Sequence, residues 1–481
     1  MENDKMERGL KSRHVSMIAI GGAIGTGLFV ATGGVIAEAG PFGALFAYAI
    51  IGVMLYFLMN TIGELATFYP VSGAFSAFST RFVDPSVGFT IGWVYFLIGI
   101  LVASVDIIVA SNVITFWEPM QFLSPFTWSV IFFLLIFILN IVKVRAFGEA
   151  EYWLSLIKVV TIIVFIVVGT LMIFGILGGE AYGFKNYTIG EAPFVGGISG
   201  FLGVLLVAGF SVGGTEVVAI TAGESDEPEK SMPKAVKQVF WRILIFYIGA
   251  IAVISAILPY TDPTLLNETG SVNQSPFTIV FDRVGIAFAA SVINAVILTS
   301  LLSASNSMLY SASRMLFSLA SKNHAPKVLS KINNRTHSPL ASILVTCGTI
   351  FLIVVLSQFL ENAIFILLEF VGSLVILVWL SNVWAQMRLR KAIKIQGKDI
   401  NQVLPFKAKG YPVGQYIVIA IILFLLTGGS VQYIINFNGT ELFRHYLPFI
   451  IMALIFIVHK LIKKTHMVDL NTVDLSRKTT D

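Results

Sequence analysis

Lys158, Asp106, Glu216 and Glu369 are ionisable residues set inside long apolar runs, in the contexts LSLIKVVTI, VASVDIIVAS, GGTEVV and FILLEFVG. A charge at bilayer depth is costly unless paired or hydrated, so each position marks candidate chemistry. Lys158 lies about two turns into its run. Its amine either snorkels to the interface or stays withdrawn from water, where it can gain and lose a proton. Glu216 follows a cluster of glycines and is placed to link interrupted backbone to a cargo or a proton. Asp106 and Glu369 can neutralise a cationic side chain or carry a proton. Glu64, in NTIGELATF, sits nearer a run's end and reads as a structural partner for loop amides or a basic residue.

The runs that hold these residues fix the class of molecule. Of 481 residues 56% are hydrophobic and 12% charged, against about a quarter charged in an ordinary soluble chain. Windows of about 19 residues place twelve membrane spans near 15–36, 42–66, 87–116, 125–142, 152–177, 195–220, 237–259, 278–312, 338–357, 362–386, 411–435 and 445–462. Twelve crossings put both ends on one side. Of the 32 Lys and Arg residues, 28 then fall on the side of the termini, three opposite and one, Lys158, within a span. The positive-inside rule makes the termini side cytoplasmic in a cell membrane. The first run is too long for the core of a cleaved signal peptide. The tail from His466 to Asp481 is polar and is expected to be disordered.

The first span, IAIGGAIGTGLFVATGG, and the sixth, GFLGVLLVAGFSVGGTE, are both rich in glycine at mid-span. Small residues let helices pack closely. Two glycine-broken spans separated by four others also point to an inverted repeat whose discontinuous helices meet around a substrate. At the first break, amide groups near Gly25, Thr26 and Gly27 can face a carboxylate, with the helix dipole in support. Carbonyls of Ala23 and Ile24, and of Phe210, Ser211 and Gly213 at the second break, can accept from an ammonium group. Such a site holds a zwitterion without charged side chains.

Other chemistries lack their residues. The six histidines all lie in loops or near span ends, and the single Cys347 cannot form an intrachain disulfide. There is no GxxxxGK[ST] motif, so an intrinsic ATPase is unsupported, and neither a metal nor another cofactor is expected. The basic loops are explained by topology, so nucleic acid is not an expected partner.

The motifs GAIGTGLF, GELATFYPVSGAF and GGTEVVAITAGESDEP, with RAFGEAEYWLSLIKVV and NAVILTSLLSASNSMLYSASRML, resemble the amino acid permeases of the amino acid, polyamine and organocation superfamily. The likeness runs from Gly9 to about Lys464, and stretches 143–160 and 214–263 are most similar to bacterial lysine permeases. It implies an all-α polytopic protein of about 12 transmembrane helices, with a five-plus-five inverted-repeat (LeuT-like) core at 15–386. That core follows a cytoplasmic segment at 1–14 and precedes a cytoplasmic loop at 387–410, two further helices at 411–462 and a tail at 463–481. It implies alternating access, with Thr26 and Gly27 taking the substrate carboxylate and the Ala23, Phe210 and Gly213 carbonyls its amino group. Lys158 matches the lysine that stands, in proton-coupled relatives, where sodium-coupled ones hold a sodium ion. The expected partners are an amino acid, protons and membrane lipid, with a slight preference for a cationic amino acid because mid-span acids outnumber bases. Exchange in place of symport, a neutral cargo and the oligomeric state stay open.

Overall fold

The computed structural model describes residues 10–21, 24–71, 73–141, 144–178, 181–266, 275–283, 287–333, 338–360, 363–435 and 439–477. Those residues fold as helices and connections. The first apolar segment is α1 (Ser12–Gly21), a break, α2 (Thr26–Phe29) and the start of α3 (Ala31–Phe68). Within α3 the chain turns at Gly40, whose φ of 76° falls in the left-handed region. A side chain there would also meet the Pro193 carbonyl and Val195 amide at 2.8 and 2.9 Å. Gly40 and Pro41 therefore separate the first and second segments without a loop.

Short α4 (Ala74–Phe82) leads to the third to fifth segments, α5 (Pro85–Val113), α6 (Pro125–Ile141) and α7 (Val144–Ile173). The sixth is broken into α8 (Gly197–Ser211) and α9 (Val217–Thr221). The seventh joins α10 (Pro228–Arg242) to α11 (Ala250–Ile257) through a π-helical stretch, Ile243–Gly249. After short α12 (Pro263–Leu266) and α13 (Pro276–Arg283) come α14 (Ala287–Ser321), α15 (Leu340–Leu356) and α16 (Ala363–Ile395). Short α17 (Ile400–Val403) precedes α18 (Val413–Ile435) and α19 (Gly439–Lys463). The expected eighth span began at 278. Its first residues instead form α13, a separate helix that the apolar run had hidden.

Eight helices among the described residues are long and apolar enough to cross a membrane, and three shorter apolar ones are Pro125–Ile141, Gly197–Ser211 and Val413–Gly428. With the interrupted first segment they make an all-α polytopic membrane protein of twelve segments. The most apolar stretch of α5 is 83% buried, and that of the last helix 17%. The third segment is thus the molecular axis, while the twelfth turns apolar side chains such as Leu454, Leu461 and Ile462 outward. Packing between α5 and α14 is the most extensive of any helix pair, and Ser305 Oγ donates to the Ala103 carbonyl across it at 2.9 Å.

The polar tail is ordered through residue 477, contrary to expectation. Arg81 donates to the Asp474 and Ser476 carbonyls, Arg388 to that of Val468, and Gln396 to those of Leu470 and Val473. Leu470, Val473 and Leu475 are buried beneath it, and Arg477 pairs with Glu229 on α10. Composition missed this because the tail's own carbonyls, bound by side chains distant in sequence, hold it. Leu10, near the other end of the chain, exchanges backbone hydrogen bonds with Glu224 and Asp226. Leu10 and Arg477, the first and last described residues, therefore meet the same end of the bundle, near residues 224–229. Deleting residues 464–481 is expected to lower the melting temperature of the purified protein by a few degrees in a thermal-shift assay. An unchanged melting curve would show that the tail contributes nothing.

Asp84 anchors the same end. Its side chain caps α5 by accepting from the Ser86 amide at 2.7 Å, and it also accepts from Lys460 and Thr465 at 2.7 and 2.8 Å. Burial pushes the Asp84 carboxyl up, but these bonds outweigh it and hold the group below the ordinary carboxylate range. A depressed folded-state value means that the stabilisation is complete above about pH 4 and is lost as pH falls through the folded value. Asp84→Asn should accordingly cost stability at neutral pH and progressively less under acid. A pH-independent difference in melting temperature would refute that account.

Candidate functional site

The broken first and sixth segments meet backbone to backbone. Gly27 lies so close to the Ser211 backbone that a side chain at 27 would collide with it. Beside this contact a cavity of about 430 Å³, open solvent at its mouth included, is lined by Gly25, Thr26 and Gly27 from the first break. Phe210, Ser211, Gly213 and Gly214 line it from the second break. Its other walls are helix faces with a spacing of four: Ile98, Val102 and Asp106 of α5, Ala304 and Met308 of α14, and Val371 and Val375 of α16. The cavity is thus apolar apart from exposed backbone, two hydroxyls and one carboxyl group.

That carboxyl is Asp106, 3% exposed. Oδ1 accepts from the Thr26 hydroxyl at 2.7 Å, and Oδ2 is buried without a hydrogen-bond partner. A buried charged oxygen without a partner is expensive, so the site is primed for a proton or a cation. Since the Thr26 hydroxyl proton goes to Asp106, a carboxylate cargo can use only the backbone amides here. At the second break, Phe210 O accepts from Gly213 N at 2.8 Å and Ser211 O from Tyr247 Oη at 2.7 Å. Phe210 O also takes the Val212 amide, so of the two it is the Ser211 carbonyl that keeps a lone pair for a further donor.

Lys158 lies outside the cavity and does not snorkel. It is 1% exposed and donates from Nζ to the carbonyls of Gly21 and Ile24 at 3.0 and 3.1 Å. It thus caps the carboxyl end of α1, where the helix dipole favours a cation. The Ile24 carbonyl expected to face an ammonium group is occupied by this lysine. Ala23 lies outside the described residues.

Arg242 is a second buried cation at the same helix end. Its guanidinium donates to the Ala19 carbonyl at 2.9 Å and also to the Thr215 hydroxyl, joining α1 to the turn before α9. In sequence Arg242 is one of the 28 basic residues on the side of the termini, at the edge of the span expected at 237–259. Glu216, also buried, sits below the second break, where Oε1 accepts from the Gly214 amide at 3.2 Å. Glu369 is not at the cavity. It faces α19, where Arg444 lies 3.2 Å and His445 3.8 Å away. Two positions separate it from Val371, and a helix turns about 200° over two residues, to the opposite face. Glu64 pairs with Arg390 and accepts from Gln386 and the Ala408 amide, binding α3 to α16 and the loop that follows it.

Two discontinuous helices meeting at a small, mostly apolar cavity inside a twelve-segment bundle define a membrane carrier rather than an enzyme. The chain belongs to the amino acid permease family, whose profile matches residues 14–472. It is 45% identical over 489 residues to the histidine permease of Lactococcus lactis, covering 99% of this chain and 100% of that protein. It is 43% identical over 479 residues to the lysine-specific permease of the same organism, covering 98% and 93%. The lysine-specific permease of Escherichia coli is 44% identical over 472 residues, covering 96% and 95%.

Proposed function

We propose that this permease takes up a cationic amino acid together with a proton, by alternating access across the cytoplasmic membrane. The observation that carries the reading is Asp106, which lines a cavity built from two helix breaks and has one buried oxygen without a partner. In this reading the substrate carboxylate faces the amides at Gly25, Thr26 and Gly27. Its α-ammonium group faces the carbonyls at Phe210, Ser211 and Gly213. The side chain passes the aliphatic wall of Ile98 and Val102 and sets its charge against Asp106. The names of the relatives, specifying lysine and histidine, support a basic side chain.

Lys158 supplies the coupling. Protonated, it holds Gly21 and Ile24 and so fixes the end of α1. When it releases its proton, the carbonyls lose their cation and α1 is free to move. Glu216 and Arg242 keep the second break in register during this change. Both chain ends lie on the cytoplasmic side, the reading favoured by the basic loops and by the contacts that gather both termini at residues 224–229.

Purified protein in liposomes is expected to accumulate labelled lysine or histidine when the outside is more acidic, with no requirement for sodium. Uptake that needs sodium and ignores pH overturns the coupling. Uptake of neutral amino acids alone overturns the cargo, and movement only into preloaded vesicles identifies an exchanger.

A further inference from the structure

Glu151, Ser155 and Lys158 lie on one face of α7, at positions i, i+4 and i+7. All three are buried. Glu151 accepts from Ser303 Oγ at 2.8 Å on one oxygen and from Asn306 Nδ2 at 2.9 Å on the other. Asn140 of α6 donates to Asn306 Oδ1 at 2.6 Å. The carboxylate is therefore fixed to α14 and α6, whereas Lys158 is fixed to α1, the broken helix that the transport cycle must displace. Ser155 stands between them, packed against Gly21, and its hydroxyl has no partner.

We infer that Glu151 is the group that exchanges the Lys158 proton with the cytoplasmic side, relayed by the Ser155 hydroxyl. The inference rests on the reading that Lys158 titrates and that both termini are cytoplasmic. As the ammonium group gives up its proton, the Gly21 and Ile24 carbonyls lose their cation and α1 is released. An N–H bond at Nζ breaks as a bond forms to Ser155 Oγ, and the serine's own hydroxyl proton passes to a Glu151 oxygen. A charged pair becomes a neutral amine and a neutral acid, and the acid then returns its proton to water at the end of α7 where His14 meets Glu149. The helix rise of about 1.5 Å per residue sets the two steps at roughly 4.5 and 6 Å along the axis, and the relay closes when Lys158 and Glu151 swing toward Ser155 from the partners they hold in this structure.

Other charges around this face have separate partners. Asp106 of α5 is bonded to Thr26, Arg242 of α10 to Ala19 and Thr215, and Arg314 of α14 to Glu224. The sequence of α11 contains no ionisable residue, and the π-helical stretch contributes only Tyr247.

The test compares Glu151→Gln, Glu151→Asp and Ser155→Ala with the unaltered protein in liposomes, measuring lysine–lysine exchange and uptake driven by a pH gradient. For Glu151→Gln, exchange should stay within about twofold while gradient-driven uptake falls at least about tenfold, the scale of a lost proton-transfer group. Glu151→Asp should recover part of that loss, and Ser155→Ala should show a smaller one. Full gradient-driven uptake in Glu151→Gln overturns the relay. So does equal loss of exchange and uptake without rescue by aspartate, which identifies a packing residue. If the unaltered protein ignores the pH gradient, the proton-coupled reading fails instead.

Discussion

Replacing Lys158 by alanine is expected to reduce uptake driven by a pH gradient to the level of empty liposomes. Two effects act together. The substitution removes the proposed proton carrier, and it strips the lysine donor from two buried carbonyls, leaving Gly21 O with only the Ile24 amide and Ile24 O without its lysine. Each unpaired buried acceptor costs about 1–3 kcal/mol, so a lower melting temperature should accompany the lost transport. Lys158→Arg separates the two effects. Arginine can still cap the end of α1, but it does not release a proton in the physiological range. A stable protein that shifts its melting curve with lysine yet fails to accumulate it is the expected outcome. Substantial gradient-driven uptake by either variant would remove Lys158 from the coupling.

Asp106→Asn should change what is carried rather than whether anything is carried. Asparagine is nearly isosteric, and its carbonyl can still accept from the Thr26 hydroxyl, so the local fold should survive. The lost term is a charged contact at a buried site, about 1.5–3 kcal/mol, or roughly 10–100-fold in affinity for a cationic amino acid. Binding of a neutral amino acid of similar size should be affected far less. A uniform loss for both kinds of cargo would make Asp106 a structural or proton-carrying residue instead.

The parts of this site that were legible in the sequence are those encoded in local composition. Glycines around Gly25 and Gly213 marked broken helices, and Asp106 and Lys158 stood out against apolar neighbours. What sequence could not supply was azimuth. Hydropathy gives the depth of a residue but not the face it occupies, so Glu369 was grouped with Asp106 although it turns toward Arg444. Arg242 failed for a related reason, because a basic residue at a span boundary looks the same whether it meets lipid headgroups or the end of a broken helix. Glu151 falls one residue outside the span expected at 152–177, so it did not stand out as a charge within the membrane, and its partners on α14 lie about 150 residues away. Val102, Met308, Val371 and Val375 carry no signal of their own, since valine and methionine line cavities and lipid-facing surfaces alike.

The pairing of a fixed acid at the cavity with a lysine that titrates has an electrical consequence. With a cationic cargo bound and Lys158 protonated, these groups carry one net positive charge against Asp106. With the cargo gone and Lys158 neutral, they carry one negative charge. Voltage therefore assists both half-cycles in the proposed scheme, drawing the loaded carrier inward and returning the empty one outward. Two charges per turnover at about 100 mV, interior negative, supply roughly 4.6 kcal/mol, enough on their own for about a thousandfold gradient of amino acid. A neutral cargo on the same cycle would move one charge, so the reversal potential of the transport current reads the charge of the substrate directly.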